Sequence, residues 1–423
     1  MNRIGRLALV PALVLVLSGA TYGQLNDTAK KAPTPDAAAI QQHVDTAVKN
    51  LTSDDPEKQA RGRDDLAAGA ALNDPSAQAS PVYLDAYAAA VGKALTPLAG
   101  HEDMRVRLNA AIATAKVAER AGNTRLAEVA VKFMNDKTSA VALWGVKAAR
   151  KMLPISIQAG GNNALLPSFG GVVQRYLMVA PIVIEVYDAL ALDVFNAQNR
   201  PQPNVIKGTI PEMIRVFRIR VGSYGVAVPT DPAVDNAAAE FLGFQPVWQQ
   251  MTPAQRTEAV QVMADLLSFA GQHAALMEGQ DRQELIPVFK RTGAVLQVIG
   301  DTVQNMSLSN AAKEVQKVST GMDATDITRR TTAVADALKG AFPGVKPSPK
   351  LELLPPDTEE AATPPETGGA APGGAPGTRG GGAQPKSDAG AGGANAQTAS
   401  HASEADATKA DAPRRPAPAP APR

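Results

Sequence analysis

Between about Pro35 and Lys346 the apolar positions recur with the spacing of an α-helical face. From Pro253 to Met277 they are Ala259, Val260, Met263, Leu266, Leu267, Ala270, Ala274 and Met277, a single stripe at i, i+3, i+4, i+7. Leu285, Val288, Phe289, Leu296 and Ile299 repeat it, and Ile327, Thr331, Val334, Ala335 and Leu338 give a third stripe. Helix starts are expected where an oxygen-bearing residue precedes proline, at Thr34-Pro35, Asp55-Pro56, Asp74-Pro75, Asp231-Pro232 and Thr252-Pro253. There the side chain accepts a first-turn N–H and proline's missing N–H costs nothing. Thr252 with Gln255, and Thr209 with Glu212, have the spacing of a capping box. Gly100, Gly122, Gly279, Gly300 and Gly340 are placed as helix stops. Strand-like alternation is scarce. The β-branched run Val179–Val186, with Pro181 near its start and Tyr187–Leu192 after it, favours a buried helix. The fold class expected is all-α.

The first half carries an internal repeat. Val106-Arg107-Leu108-Asn109-Ala110-Ala111-Ile112 lies about 35 residues before Val141-Ala142-Leu143-Trp144-Gly145-Val146-Lys147. Each follows a polar turn (Glu102-Asp103; Asp136-Lys137) and a preceding apolar helix (Val82–Leu98; Arg125–Met134), and a weaker copy begins at Asp55-Pro56. Helix pairs at this period are the signature of an α-solenoid, in which neighbouring pairs bury a continuous core. Over residues 36–153 the pattern resembles HEAT repeats, with Glu102-Asp103-Met104-Arg105-Val106-Arg107-Leu108-Asn109-Ala110-Ala111 as the match. The Val141 copy departs from it, with Ala142 where the family has Arg and Gly145-Val146 where it has Ala-Ala. The resemblance implies that Arg107 ladders to an acidic turn residue of a neighbouring repeat, a structural role.

After Leu153 the pattern loosens. Residues 159–163 and 198–203 have loop composition, so 154–208 reads as an irregular helical join and 209–342 as a further helical region. That region either continues the solenoid or forms a separate unit; no repeat is detectable in it.

The two ends read differently from the body. Arg3 and Arg6, the apolar run Leu7–Leu17 and the small residues Ser18, Gly19 and Ala20 have the layout of a secretory signal peptide, residues 1–23, with cleavage after Ala20 or Gly23. Residues 24–35 follow as a flexible N-terminal segment. The apolar run is too short for a hydrocarbon core that needs ~20 helical residues, and no later segment reaches that length. The expectation is an exported chain, periplasmic or extracellular and of bacterial style, with no transmembrane segment after cleavage. Residues 343–423 form a Pro/Ala/Gly-rich tail that holds no Val, Ile, Leu, Met, Phe, Trp or Tyr from Pro355 onward. With nothing to bury against an ordering entropy of ~1–2 kcal/mol per residue, the tail is expected to be disordered.

Composition removes whole classes of chemistry. The 42 Lys and Arg balance 41 Asp and Glu, which is not the basic excess of a nucleic-acid binder. The absence of cysteine excludes disulfides, thiolate nucleophiles and Cys-ligated metals. His101-Glu102 lacks the second histidine of a zincin motif, and His43, His273 and His401 share no ligand spacing. Gly92-Lys93 has no upstream glycine for a phosphate loop, and Gly222-Ser223-Tyr224-Gly225 lacks the glycine that a nucleophile elbow needs. No catalytic residue, cofactor or metal is expected.

Two features stand above this background. Arg215, Arg218 and Arg220, interleaved with Val216, Phe217, Ile219 and Val221 and followed by Tyr224, are the candidate partner contacts. Arg215 and Arg218 share a helix face, which suits either a carboxylate or phosphate clamp or a solvated face opposite the core. Phe241, Phe244 and Trp248 form either a recognition patch or core filling, and Trp144 is assigned to the core. The function expected is a non-enzymatic scaffold whose helical-repeat surface contacts a protein or peptide of the cell envelope. The alternatives are a structural envelope component tethered by its tail, and an enzyme without a local motif.

Overall fold

Half of the described α-helices start on a side-chain cap. Asp55 accepts the Glu57 N–H at 2.9 Å and places Pro56 in the first turn. Thr252 and Gln255 close a reciprocal capping box ahead of Pro253. Ser80 caps the helix that begins at Pro81, and Asp36, not Thr34, caps the helix that begins at Ala37. The second expected capping box does not form. Thr209 and Glu212 lie inside a helix that starts at Pro203 and runs through Pro211, because their flanking apolar residues are buried continuously. Asp231-Pro232 opens only a 3-10 turn, Pro232–Asp235. Gly122 ends its helix in the left-handed conformation, as expected of a stop. Gly279 instead opens a helix, whereas the helices that hold Gly300 and Gly340 end shortly after them, at Thr302 and Ala341.

The computed structural model describes residues 25–351, apart from 75, 161–163 and 199. The leader expected over 1–23 lies outside the described residues, as does the tail beyond Leu351. Among the described residues there are sixteen α-helices, two 3-10 turns and no strand, so the chain is all-α. No described helix is long and apolar enough to cross a membrane. All of these helices belong to one compact unit.

After the short α1 (Asp27–Lys31), successive helices pair: α2 (Ala37–Leu51) with α3 (Pro56–Gly69), and α4 (Pro81–Leu95) with α5 (Met104–Ala121). The pairing continues in α6 (Ala127–Met134) with α7 (Ser139–Gln158), and in α8 (Leu165–Arg175) with α9 (Ala180–Ala191). First helices pack on first helices (α2 on α4, α4 on α6, α6 on α8) and second on second (α3 on α5, α5 on α7, α7 on α9). This arrangement has two layers and a continuous apolar core. Residues 154–208, expected as an irregular join, hold α8 and α9, which extend both layers.

The second helices share a register counted from their caps. Four residues after Asp55 stands Gln59, and four after Asp103 stands Arg107. Gln59 Nε2 donates to Ser53 O in its own turn at 2.8 Å and to Asp103 Oδ2 of the next pair at 3.4 Å. Arg107 does the same one pair on. It donates to His101 O and Glu102 O in its own turn at 2.8 and 3.0 Å, and to Asp136 Oδ2 at 2.7 Å. The next register position is Ala142, where Tyr176 takes over by donating its hydroxyl to Asp136 O at 2.7 Å. Seven residues after each cap stand Gly62, Ala110 and Gly145. A Cβ on Gly145 would lie 2.5 Å from Met134 N, and one on Gly62 would lie 2.4 Å from Ala47 O. The departure at Gly145 is therefore a consequence of the close crossing of α7 over the end of α6.

Three carbonyls in the last turn of α3 and one in the turn after it are met from outside. Tyr87 donates to Leu66 O, Tyr83 to Gly69 O, and the Lys30 ammonium to Ala68 O and Ala71 O. That placement ties α1 onto the first pair, and burial lowers the Lys30 pKa from its ordinary value.

Beyond α9 the helices lengthen. α10 (Pro203–Ser223) packs on α8, α9 and α13 (Pro253–Leu276). The short α11 (Asn236–Gly243) and α12 (Gln245–Gln250) lead into α13. α14 (Gly279–Thr302) packs on α11, α13 and α15 (Met306–Val315), and α16 (Ala324–Ala341) closes on α13 and α15. Residues 343–351 then run back along α13 without secondary structure.

Candidate functional site

The four residues singled out from the sequence lie on α10 and the turn after it, and helical geometry separates them. Arg215 and Arg218 face outward; Arg220 and Tyr224 are fully buried at 0% exposure, so they offer no surface to a partner. The reason is the apolar stripe Val216, Phe217 and Val221, which turns Arg220 inward with it. Arg215 and Arg218 do not form a joint clamp either. Arg215 forms a two-point contact with Glu212, Nε to Oε2 and Nη2 to Oε1, both at 2.8 Å, and also donates to Pro167 O. Glu212 in turn accepts the Gly170 N–H at 2.9 Å, which joins α8 to α10. Arg218 reaches Glu258 on α13 at 3.5 Å.

Arg220 belongs to a sealed polar cluster. Its Nε donates to Asp235 Oδ2 at 3.3 Å, Nη1 to Leu177 O, and Nη2 to Thr230 O at 3.1 Å. Tyr187 donates to Asp235 Oδ1 at 2.9 Å and Tyr224 to Oδ2 at 2.6 Å. Burial pushes the Asp235 carboxyl above its ordinary value, against the pull of Arg220 and the two phenols. Burial and the adjacent Asp235 push both phenols well above theirs, so they remain donors. His273 sits beside this cluster, with Nε2 2.7 Å from Tyr224 O. Every charged atom here has an internal partner. The cluster ties α9, α10 and the Pro232–Asp235 turn together.

The aromatics divide in the same way. Phe241 and Trp248 are core, whereas Phe244 is half-buried and packs on Phe195 with ring centroids 5.0 Å apart. Phe195 is 51% exposed, and the Arg200 guanidinium stands 5.3 Å from the Phe244 ring centre. Leu192 and Asp193, both with positive φ, make the turn that brings Phe195 there. This patch escapes a reading by helical spacing because Phe195 lies in a loop some fifty positions from Phe244. Trp144, assigned to the core, is only partly buried, with the Lys147 ammonium 4.7 Å from its ring centre.

Where α10 meets α13 there is an open cavity of about 320 Å³. Arg218, Gly222 and Val226 form one wall, Asp265 and Phe269 the other, and Pro349 and Lys350 the rim. Burial raises the Asp265 carboxyl above its ordinary value. Among the described residues no group of three or more His, Asp or Glu side chains is placed to hold a metal ion.

No protein-family model matches the chain, and no curated protein matches it significantly. Among solved structures, two engineered proteins from a structural-genomics consortium are similar at 16% identity. One covers 70% of this chain and 97% of its own with a TM-score of 0.24; the other covers 74% and 93% with a TM-score of 0.22. Likeness at these scores carries no argument about fold or function.

Proposed function

We propose that the chain is an exported, non-enzymatic binding protein of the cell envelope, built on HEAT-like helical pairs and recognising a protein or peptide through its helical surface. The repeat reading is supported by the rungs from Gln59 to Asp103 and from Arg107 to Asp136, which recur at one register position and link consecutive pairs. The observation that carries the binding reading is exposed Phe195 packed on half-buried Phe244 beside Arg200. Aromatic rings and arginine are the side chains in which interface binding energy concentrates.

The test is site-specific photo-cross-linking in cells that make the full chain. A benzophenone side chain at position 195 is expected to give one discrete adduct with an envelope protein, and the same group at exposed Glu57 is expected to give none. Equal labelling from both positions, or none from 195, would count against the reading.

A further inference from the structure

The segment after α16 lies along α13 and is held by its backbone. Gln261 Oε1 accepts the Lys346 N–H at 2.6 Å, and Gln261 Nε2 donates to Lys346 O at 3.3 Å. Three turns further along α13, Gln272 Oε1 accepts the Leu351 N–H at 3.0 Å, and its Nε2 donates to Pro349 O at 3.4 Å. Each glutamine thus serves both a donor and an acceptor of the segment's main chain. The lengths agree: eleven helical residues rise about 16 Å, and the five steps from Lys346 to Leu351 span about 16 Å as a polyproline helix. Asp265 and Ser268 complete the polar stripe. Gln261 Nε2 donates to Asp265 Oδ1 at 2.9 Å, and Gln272 Nε2 to Ser268 Oγ at 3.2 Å, so both amides are held in place.

The segment itself is loosely seated. Val345 is buried and Leu351 half-buried, whereas Lys346, Pro347, Pro349 and Lys350 are exposed. The cavity of about 320 Å³ between α10 and α13 lies directly beside Pro349 and Lys350, with Arg218 and Phe269 in its walls. Contacts to main-chain atoms hold any extended peptide whose prolines leave the bonded N–H groups free. An occupant with a larger side chain next to the second proline would fill the space that this segment leaves.

We propose that the α10–α13 groove is a binding site for an extended, proline-bearing peptide segment, and that residues 345–351 occupy it in cis as a competitor. This rests on the binding-protein reading above and adds a second, separate site to it. Gln261 and Gln272 recognise the peptide main chain, and the cavity beside Pro349 selects the side chain that follows the second proline.

The experiment uses the full chain and a fluorescein-labelled peptide of the sequence of residues 344–351, followed by anisotropy. The unaltered chain is expected to bind weakly, because its own segment competes. A full chain carrying Val345→Ser and Leu351→Ser, which frees the groove, is expected to bind at least tenfold more tightly. Adding Gln261→Ala and Gln272→Ala is expected to abolish that gain while the far-ultraviolet circular dichroism stays unchanged. Hydrogen exchange at the Lys346 and Leu351 amides gives a second measure: Gln261→Ala should speed the first and Gln272→Ala the second, each about tenfold. Absence of saturable binding to the freed chain, or binding indifferent to both glutamines, overturns the inference. An adduct from position 195 together with no peptide binding sinks this inference alone; peptide binding without that adduct sinks the Phe195 reading alone.

Discussion

Replacing Arg107 with Met should remove a rung and leave a charge behind. The pair Arg107–Asp136 is 5% and 4% exposed, and Asp136 receives the Arg107 Nε at 2.7 Å and Nη2 at 3.4 Å. Its other side-chain partner is the Thr138 N–H at 2.8 Å. The carbonyls of His101 and Glu102 also lose a donor, but they sit in a turn that water reaches and so contribute little to the loss. The cost is therefore set by an uncompensated buried carboxylate, about 3–5 kcal/mol. Arg107→Met/Asp136→Leu removes both charges and should recover most of that loss, because two well-packed apolar side chains replace a buried ion pair at little cost. Urea unfolding followed by circular dichroism measures both variants. Hydrogen exchange in α5 and α7 should show the loss at the interface between those helices first, because stacked pairs couple mainly to their neighbours. A cost below ~1 kcal/mol for Arg107→Met, or a double variant as weak as the single one, would refute the account of the rung.

Gly145→Ala should destabilise by about 1–3 kcal/mol, since its Cβ meets the backbone of Phe133 and Met134, whereas Ala110 already carries a methyl at the same register position; thermal melts compare the sites. Tyr187→Phe and Tyr224→Phe should each cost about 1–3 kcal/mol by stripping one donor from the buried Asp235, and their sum should fail to add in the double variant. Asp103→Ala should cost about 1 kcal/mol at neutral pH by uncapping α5, and Asp103→Asn much less. The Arg105 N–H holds the Asp103 carboxyl below its ordinary value, so its stabilisation is full above about pH 4 and is lost as pH falls through the folded-state pKa. The gap between Asp103 and the alanine variant should therefore close in acid, which a pH series of urea midpoints checks.

Most helices were legible in the sequence because caps and apolar stripes are local. Asp55-Pro56 and Thr252-Pro253 start helices where the pairing of oxygen and proline says they should. The reading failed where tertiary packing overrode a local signal. Pro211 is carried inside a helix because the apolar residues on both sides of it are buried. Arg107 was readable since its partner follows from a repeat. Arg220 was not, because its partner Asp235 lies in a 3-10 turn with no periodicity, and a lone arginine between apolar residues gives no sign of facing inward. Phe195 with Phe244, and Gln261 with Lys346, pair distant positions, at least one of each in irregular chain, and are invisible to any window along the sequence.

The same device, a polar side chain on a helix reaching the main chain or carboxylate of a neighbouring segment, serves two ends in this molecule. What separates them is access to water. Arg107 is buried with partners on two turns, so breaking its contacts strands charge in an apolar interior, and the rung behaves as architecture. Gln261 and Gln272 are uncharged and partly exposed, so water can replace each bond as it breaks and the net cost per bond is only about 1 kcal/mol. A segment held by four such bonds and two apolar contacts can leave without unfolding what it leaves behind. Exchangeability of that kind is what the proposed groove on α13 requires and what a structural rung excludes.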